Sequence, residues 1–199
     1  MGASRVCEGS TPADRPLDSE CFGDYYQWGR ATDGHEKVDK DGNALNNSIS
    51  GTLASNYAGA INPANLRGRF IANSAVPHDW TTGDGYGNNR KSEWNKTNGS
   101  ICPPSFKVPS YTEFFTDVGA SMSNLTTMGN HYMRLSRHGY RPYNDTSTTG
   151  NNIMDRGTGM EYWTSENDGS KFSRTIELAT PMYRLRRRAA GYPVRCVRY

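Results

Sequence analysis

Hydrophobic residues occur in short clusters along this chain, separated by long polar stretches, and this pattern predicts short strands joined by long loops. The aromatic cluster at residues 21–30 is bounded by glycines and predicts a core strand with Trp28 buried. A shorter apolar run at residues 70–72 predicts a second strand. Residues 31–66 show little periodicity, so they predict a long loop with a possible short helix at residues 52–60.

The clearest helix signal lies near the middle of the chain. Ser110 and Glu113 have the Ser-x-x-Glu spacing of a capping box, in which each residue satisfies a free backbone or side-chain group of the other. An apolar face follows at helical spacing, formed by Phe114, Phe115 and Val118. Gly119 is the predicted end of this helix.

The segments on either side of this helix carry weaker signals. Residues 81–98 are rich in turn-forming residues, and Trp94 is their predicted anchor to the core. Residues 121–143 are ambiguous, although loose alternation at residues 134–141 is compatible with a strand. Residues 144–159 have the composition of a loop.

The C-terminal forty residues contain the strongest strand signals. Residues 162–163 and 172–178 predict two strands, and the Asn-Asp-Gly-Ser run at residues 167–170 predicts the hairpin turn between them. A last strand is predicted at residues 192–197. Between these strands, residues 183–188 form the densest cluster of charge in the protein.

Composition supports a single loop-rich domain. The chain has 199 residues, which suits one domain, and only 34% of them are hydrophobic, with 21 glycines, 10 prolines and 12 tyrosines. The mean hydropathy of −0.82 would suit a disordered chain, but four tryptophans indicate an ordered core. Residues 1–20 are polar and contain two prolines, so we predict an extended N-terminal arm followed by one domain at residues 21–199.

Charge and hydropathy exclude some classes of protein. A net charge of +3 is too small to indicate a nucleic-acid-binding protein. No stretch approaches the roughly 20 consecutive apolar residues of a membrane helix, so no membrane insertion is expected. The first residues lack a charged start followed by an apolar run, and we therefore predict no signal peptide in this chain.

Four cysteines permit three disulfide pairings, and free thiols remain an alternative because the compartment decides the oxidation state. The cysteines do not form CxxC pairs, so no zinc site is predicted. The preferred pairing joins Cys7 to Cys21 and Cys102 to Cys196. The second bond would close a long loop and attach the last strand to the start of the predicted helix.

Five phrases, in this order, carry a family resemblance: CFGDYYQWGRATDGHE, ICPPSFKVPSYTEF, HGYRPY, EYWTSE and GYPVRCVR. Together they resemble the Fibrobacter succinogenes major paralogous domain, a branch of the C-type lectin-like fold. This branch lies close to the formylglycine-generating enzyme fold and includes variable proteins of diversity-generating retroelements. The resemblance covers roughly residues 21–198 and implies an α+β, C-type lectin-like fold with short antiparallel strands, one or two helices and long loops.

The chain departs from the family pattern in three places. Residues 105–110 are Ser-Phe-Lys-Val-Pro-Ser where many relatives have Gly-Trp-Arg-Val-Pro-Thr, and residues 160–165 are Met-Glu-Tyr-Trp-Thr-Ser where relatives often have Gly-Tyr-Tyr-Trp-Ser-Ser. Relatives also tend to have Asn-rich sequence before the last strand, where this chain has Arg186, Arg187, Arg188 and Ala190. Replacement of template Asn codons at adenines could produce such residues.

The resemblance implies a diversified ligand-binding protein, displayed by a virus, a phage or a cell surface, whose variable residues lie on one solvent-exposed face near the C-terminus. Tyrosine and arginine, which are enriched in protein-binding hot spots and paratopes, are frequent there. The expected partner is a protein or glycan receptor, with no cofactor and no nucleic acid. The predicted ligand-binding residues are Asp155, Arg156, Met160, Glu161, Glu166, Asn167, Arg174, Tyr183, Arg184, Arg186, Arg187 and Arg188.

Three alternatives compete with this interpretation. A formylglycine-generating-enzyme-like oxidase would need a copper site formed by paired cysteines, but Cys196 has no second cysteine close to it in sequence. The sequence also contains no catalytic motif, so we predict no enzyme activity. Calcium-dependent sugar binding would use an oxygen-rich cluster, which residues 166–168 resemble only weakly, so no metal site is predicted. The third alternative is an adhesin of the same fold that is not diversified, which the protein sequence does not distinguish from a diversified protein.

Overall fold

The computed structural model describes residues 11–39, 41, 43, 45, 49–58, 61–97, 101–118, 124–145, 152–169, 171–180 and 182–199. These residues form a mixed α/β structure with few helices and short, mostly antiparallel strands, as the sequence predicted at the level of α+β class. The helices are α1 (Asn88–Trp94), α2 (Tyr111–Val118) and α3 (Leu125–Asn130). The strands are β1 (Tyr26–Gln27), β2 (Ile49–Ser50), β3 (Phe70–Ile71), β4 (Phe106–Lys107), β5 (Glu161–Asn167), β6 (Phe172–Glu177), β7 (Met182–Arg187), β8 (Gly191–Tyr192) and β9 (Val197–Arg198).

The largest sheet in the described residues has three antiparallel strands in the order β5–β6–β7. Its register places Tyr162 opposite Ile176, and Ile176 opposite Tyr183, so these three residues share one face. Helix α2 covers this face, with the ring of Phe114 stacked on that of Tyr162 at a centroid distance of 5.7 Å. The hairpin predicted between β5 and β6 is confirmed, because the backbone N–H of Asp168 donates to the carbonyl of Phe172 at 3.2 Å.

The capping box that predicted α2 is present. The backbone N–H of Ser110 donates to Oε2 of Glu113 at 2.9 Å, and the backbone N–H of Glu113 donates to Oγ of Ser110 at 3.2 Å. The ammonium of Lys107 adds a contact of 2.6 Å to the same carboxylate. The predicted helix is therefore confirmed, whereas its predicted end at Gly119 lies outside the described residues.

Two-stranded pairs connect the beginning of the domain to its end. Strand β1 pairs with β8, β4 pairs with β9, and both pairs are antiparallel. The first strand therefore lies beside the C-terminal part of the chain. Cys102 is bonded to Cys196, as predicted, with Cα atoms 5.8 Å apart, and the bond fastens the segment before β9 to the segment before β4. Cys7 lies outside the described residues, and its predicted bond to Cys21 is not described.

The core is built around four buried tryptophans, which confirms the ordered core that they predicted, with Trp28 and Trp94 buried as expected. The indole N–H groups of three of them donate to backbone carbonyls of other segments. Trp28 donates to Thr164 at 3.0 Å, Trp80 donates to Trp28 at 2.8 Å, and Trp163 donates to Tyr26 at 2.8 Å. Each of these three indoles therefore fixes two distant segments of the chain relative to each other as well as filling the core.

Several local predictions were wrong. The part of the N-terminal arm that is described is not extended, because Arg15–Leu17 and Ser19–Cys21 form 3-10 helices. Pro16 is buried, and its carbonyl accepts the backbone N–H of Arg137 at 2.6 Å. Residues 52–58 form no helix, because the backbone of Ala54 is committed to hydrogen bonds with Trp80 and Thr82.

Other elements were missed by the sequence pattern. Helix α1 lies in the segment predicted as turns, and α3 lies in the ambiguous segment, where Asn124 caps it by accepting the N–H of Thr127 at 3.1 Å. Residues 134–141 form no regular strand, and only Tyr140 and Arg141 make isolated bridges. The predicted last strand is divided into β8 and β9, since Pro193 has no N–H with which to continue a ladder.

Candidate ligand-binding surface

The predicted ligand-binding residues lie on the β5–β6–β7 sheet and on the loop that precedes it. Most are at least partly exposed. Strand β7 was not predicted as a strand, because its sequence was interpreted as a displayed charge cluster. It pairs with β6 along its whole length and carries four exposed side chains in succession, those of Met182, Tyr183, Arg184 and Leu185.

Two of the predicted residues are inside the protein, which corrects their assignment to the ligand-binding surface. Arg188 is fully buried: its Nε donates to Oγ of Ser173 at 3.1 Å, and its guanidinium lies 3.3 Å from the Asp79 carboxylate. Burial, followed by the nearby charge of Arg90, lowers the pKa of Arg188. Met160 is 6% exposed and belongs to the hydrophobic cluster beneath α2.

The sheet also divides the predicted residues between its two faces, whereas a single face was expected. The register places Arg174 and Tyr183 on the face that carries α2, where Tyr183 meets the ring of Tyr111 edge-on at 5.8 Å. Glu161 and Arg186 lie on the opposite face. Alternation of side chains along a strand separates neighbours such as Tyr183 and Arg184, so a continuous run in sequence cannot form one surface here.

On the face opposite α2, Arg186 forms a two-pronged ion pair with Glu161. Its Nε donates to Oε2 of Glu161 at 2.7 Å, and its NH2 group donates to Oε1. Oγ1 of Thr175 donates to the same Oε2 at 2.8 Å. The hydrogen bond to Glu161 raises the pKa of Arg186, so this guanidinium is charged and engaged.

The remaining arginines of the sheet are mostly engaged as well. Arg184 lies 2.7 Å from the carboxylate of Glu177, and Arg174 lies 2.8 Å from that of Glu166. These pairs are partly exposed, so they contribute little to stability, but they cancel most of the positive charge. The arginine-rich cluster is therefore not a uniform basic surface.

Arg187 differs from its neighbours. Its guanidinium lies over the ring of Tyr143, 4.3 Å from the centroid. Within the described part of the chain, no carboxylate lies within ion-pair distance of it. It is half-buried, and stacking on an aromatic face leaves the edge of a guanidinium able to donate hydrogen bonds.

A cleft of about 400 Å³ opens beside these side chains. It contains three tyrosines, two carboxylates, two arginines and three apolar residues. We refer to this set as the cleft: Tyr140, Tyr143, Tyr192, Asp155, Glu161, Arg186, Arg187, Phe172, Leu185 and Ala190. Four of the predicted ligand-binding residues, Asp155, Glu161, Arg186 and Arg187, are thus brought together.

The tyrosines of the cleft connect it to the core. Tyr140 stacks on Tyr192 at a centroid distance of 5.3 Å and an interplanar angle of 14°. Tyr192 in turn meets Trp163 edge-on at 5.0 Å. Burial raises the pKa of Tyr192, which keeps its hydroxyl neutral. Sequence reasoning missed Tyr140 and Tyr143 as site residues, although both lie in the HGYRPY phrase.

Asp155 is held at the edge of the cleft by a tight loop. Its φ of 56° is in the left-handed region, which aspartate tolerates better than most residues. The loop lies so close to Gly139 that a Cβ there would be 2.0 Å from the carbonyl oxygen of Met154. The backbone N–H of Gly159 donates to the carbonyl of Asp155 at 2.7 Å. The side chain of Asp155 is exposed, whereas its backbone is fixed.

Arg156, the next residue, is also exposed, and its guanidinium lies 5.7 Å from the ring centroid of Phe22.

The candidate calcium cluster is engaged by protein donors and acceptors. Glu166 pairs with Arg174, and the side-chain amide of Asn167 donates to the carbonyl of Tyr86 at 2.8 Å. Oδ1 of Asp168 accepts the backbone N–H of Phe172 at 3.1 Å, which closes the β5–β6 turn. The polar groups of these three residues are therefore used in contacts within the protein that hold the hairpin in place.

A second group, which the sequence did not indicate, has the geometry of a metal site. One possible ligand atom each from Asp33, His35 and Glu36 lies within 4.8 Å of the others. Nδ1 of His35 is 2.7 Å from Oδ1 of Asp33, and Nε2 accepts the backbone N–H of Gln27 at 3.2 Å. Both ring nitrogens are therefore engaged by the protein. Burial would raise the pKa of Asp33, but the hydrogen bond with His35 and the ion pair with Arg30 lower it.

Among the described residues, no helix combines the length and apolar character needed to cross a lipid bilayer. Comparison of the chain with family models, with curated proteins and with solved structures finds no match in any of the three.

Proposed function

We propose that the protein is a ligand-binding module of the C-type lectin-like fold, diversified by a retroelement, which recognises a protein or glycan receptor at a virion or cell surface without chemistry. The observation that carries this proposal is the cleft, where charged and aromatic side chains converge on a mixed surface beside an exposed strand. Tyrosine and arginine provide large contact area and hydrogen bonds at modest entropic cost.

The separation between surface and core supports diversification. On β7, Tyr183 is 51% exposed, Leu185 is 44% exposed, and Arg184 between them is also exposed. Substitutions at these positions would therefore remove little buried area. The flanking phrases of the family resemblance contain Trp163 and Tyr192, which are buried. Substitutions at exposed positions usually change stability by only about 0.5 kcal/mol, so this strand can vary while the core stays constant.

Sequencing of the flanking DNA tests diversification. We expect a reverse transcriptase gene and a near-copy of the segment encoding the C-terminus, with differences concentrated at adenines of that copy. A locus that contains neither would contradict diversification and leave a fixed adhesin with the same binding surface.

A further inference from the structure

We propose, on the basis of the proposed binding function, that the cleft recognises a protein partner by accepting a carboxylate side chain of that partner at Arg187. The cleft contains two arginines, but only one of them is available. Arg186 is held by both oxygens of Glu161, whereas Arg187 has no acidic partner among the described residues. Asp155, the other carboxylate of the cleft, makes no ion pair with Arg187 among the described residues, so an incoming carboxylate could pair with this guanidinium directly.

The surroundings of Arg187 favour a planar anion such as a carboxylate over an anion of any other shape. The ring of Tyr143, 4.3 Å from the guanidinium carbon, restrains the plane of the guanidinium. Tyr143 is itself held by His78, whose ring lies 4.8 Å away, edge-on. An oriented guanidinium can donate two parallel hydrogen bonds to a carboxylate, which is the geometry that distinguishes arginine from lysine.

The apolar residues of β7 favour a protein over a sugar. Leu185 lines the cleft, and Met182, Tyr183 and Leu185 are 41%, 51% and 44% exposed. A ligand that filled only the cleft would leave Met182 in water. A protein surface that places one acidic side chain in the cleft would also cover Met182 and Leu185, and burial of their apolar area would contribute to affinity.

A random peptide library displayed on phage provides the test. The library is selected on the wild-type protein, on the Arg187→Gln variant and on the Arg67→Gln variant, which removes the same charge from an exposed arginine outside the cleft. We expect enrichment of Asp and Glu at one peptide position on the wild-type protein and on Arg67→Gln, and its loss on Arg187→Gln. Synthetic peptides from this selection should bind Arg187→Gln about ten- to hundredfold more weakly. Equal melting temperatures of the variants would exclude unfolding as the cause.

Hydrogen exchange of the peptide complexes separates failure of this inference from failure of the proposed function. Peptides that protect the amides of residues 182–187 but show no acidic enrichment would overturn the carboxylate inference alone. The absence of both selected peptides and glycan binding, or protection confined to other parts of the chain, would overturn the binding function of the cleft as well. Arg187-dependent binding of acidic glycans on an array, without any selected peptide, would overturn the choice of a protein partner.

Discussion

The guanidinium of Arg188 lies over the indole ring of Trp28, 5.2 Å from its centroid, and both side chains are fully buried. Arg187, the preceding residue, lies instead on the ring of Tyr143 at the cleft. Two adjacent arginines of one cluster therefore have different roles. One belongs to the core that holds the sheet, and the other belongs to the candidate ligand-binding surface.

Substitution of these two residues by methionine should separate the roles. Arg188→Met removes hydrogen bonds to Ser173, Asp79 and backbone carbonyls in the core. We expect it to reduce the free energy of unfolding by about 3 kcal/mol, because a buried charged network loses a member while Arg90 remains paired with Asp79. The matched variant Arg187→Met should change stability by less than about 0.5 kcal/mol. Urea denaturation of both variants measures the difference, and equal losses would contradict the assignment.

The disulfide between Cys102 and Cys196 should make a large contribution to stability, because the two residues are 94 positions apart. Closing a loop of this length restricts the unfolded chain by about 4–5 kcal/mol in the chain-entropy treatment. The Cys102→Ala, Cys196→Ala double variant should lose stability of this order in guanidinium denaturation. Non-reducing peptide mapping of the wild-type protein should recover the linked peptides, and recovery of Cys196 bonded to Cys7 would contradict the structure.

Buried His138 should make stability decrease in mild acid. Its ring is fully buried, and desolvation, together with the charge of Arg195, lowers its pKa to about 3. In the unfolded chain the pKa of this histidine is about 6.5. At pH values between about 3 and about 6.5, the unfolded state therefore binds a proton that the native state excludes. The contribution of His138 to the free energy of unfolding is therefore constant above about pH 6.5. It decreases as the pH falls below that value, by about 2 kcal/mol at pH 5. The His138→Gln variant should lose this part of the pH dependence, and identical slopes for variant and wild type would contradict it.

Neutralising Glu161 should make the cleft more basic. In Glu161→Gln, the carboxylate that holds Arg186 is replaced by an amide, so a second guanidinium becomes available to an acidic ligand. We expect tighter binding of the selected acidic peptides, with a steeper dependence on salt concentration. Stability should change by less than about 1 kcal/mol, because the pair is partly exposed. Calorimetric titration at two ionic strengths measures this effect, and weaker binding by the variant would count against an anionic ligand.

Features fixed by local chemistry could be predicted from the sequence. The capping box of α2 depends on Ser110 and Glu113, which are three positions apart, and it is present. The burial of Trp28 and Trp163 follows from the size and hydrophobicity of indole, and it is also observed. The pairing of Cys102 with Cys196 was one of several possibilities, and the structure selects it.

Features that depend on distant partners could not be predicted in this way. The burial of Arg188 depends on Asp79, which lies 109 positions earlier in the chain. The neutralisation of Arg184 and Arg186 depends on the register between strands, because Glu177 lies on the adjacent strand β6 and Glu161 lies on β5, two strands away. Sequence alone showed a cluster of arginines, whereas the structure distinguishes paired, buried and available members.

The most direct test of the proposed binding surface compares two libraries, each with four randomised positions. One library varies four residues of the cleft, Asp155, Leu185, Arg186 and Arg187. The matched library varies α1 and the residues that follow it at Asn89, Ser92, Asn95 and Lys96. Both are displayed on yeast, sorted for folded protein, and then sorted for binding to one test protein, lysozyme. The account predicts folded members in both libraries but binders arising mainly from the first. Equal numbers of binders from the two libraries, or a first library that fails to fold, would contradict the central claim that this strand and cleft form a variable binding surface.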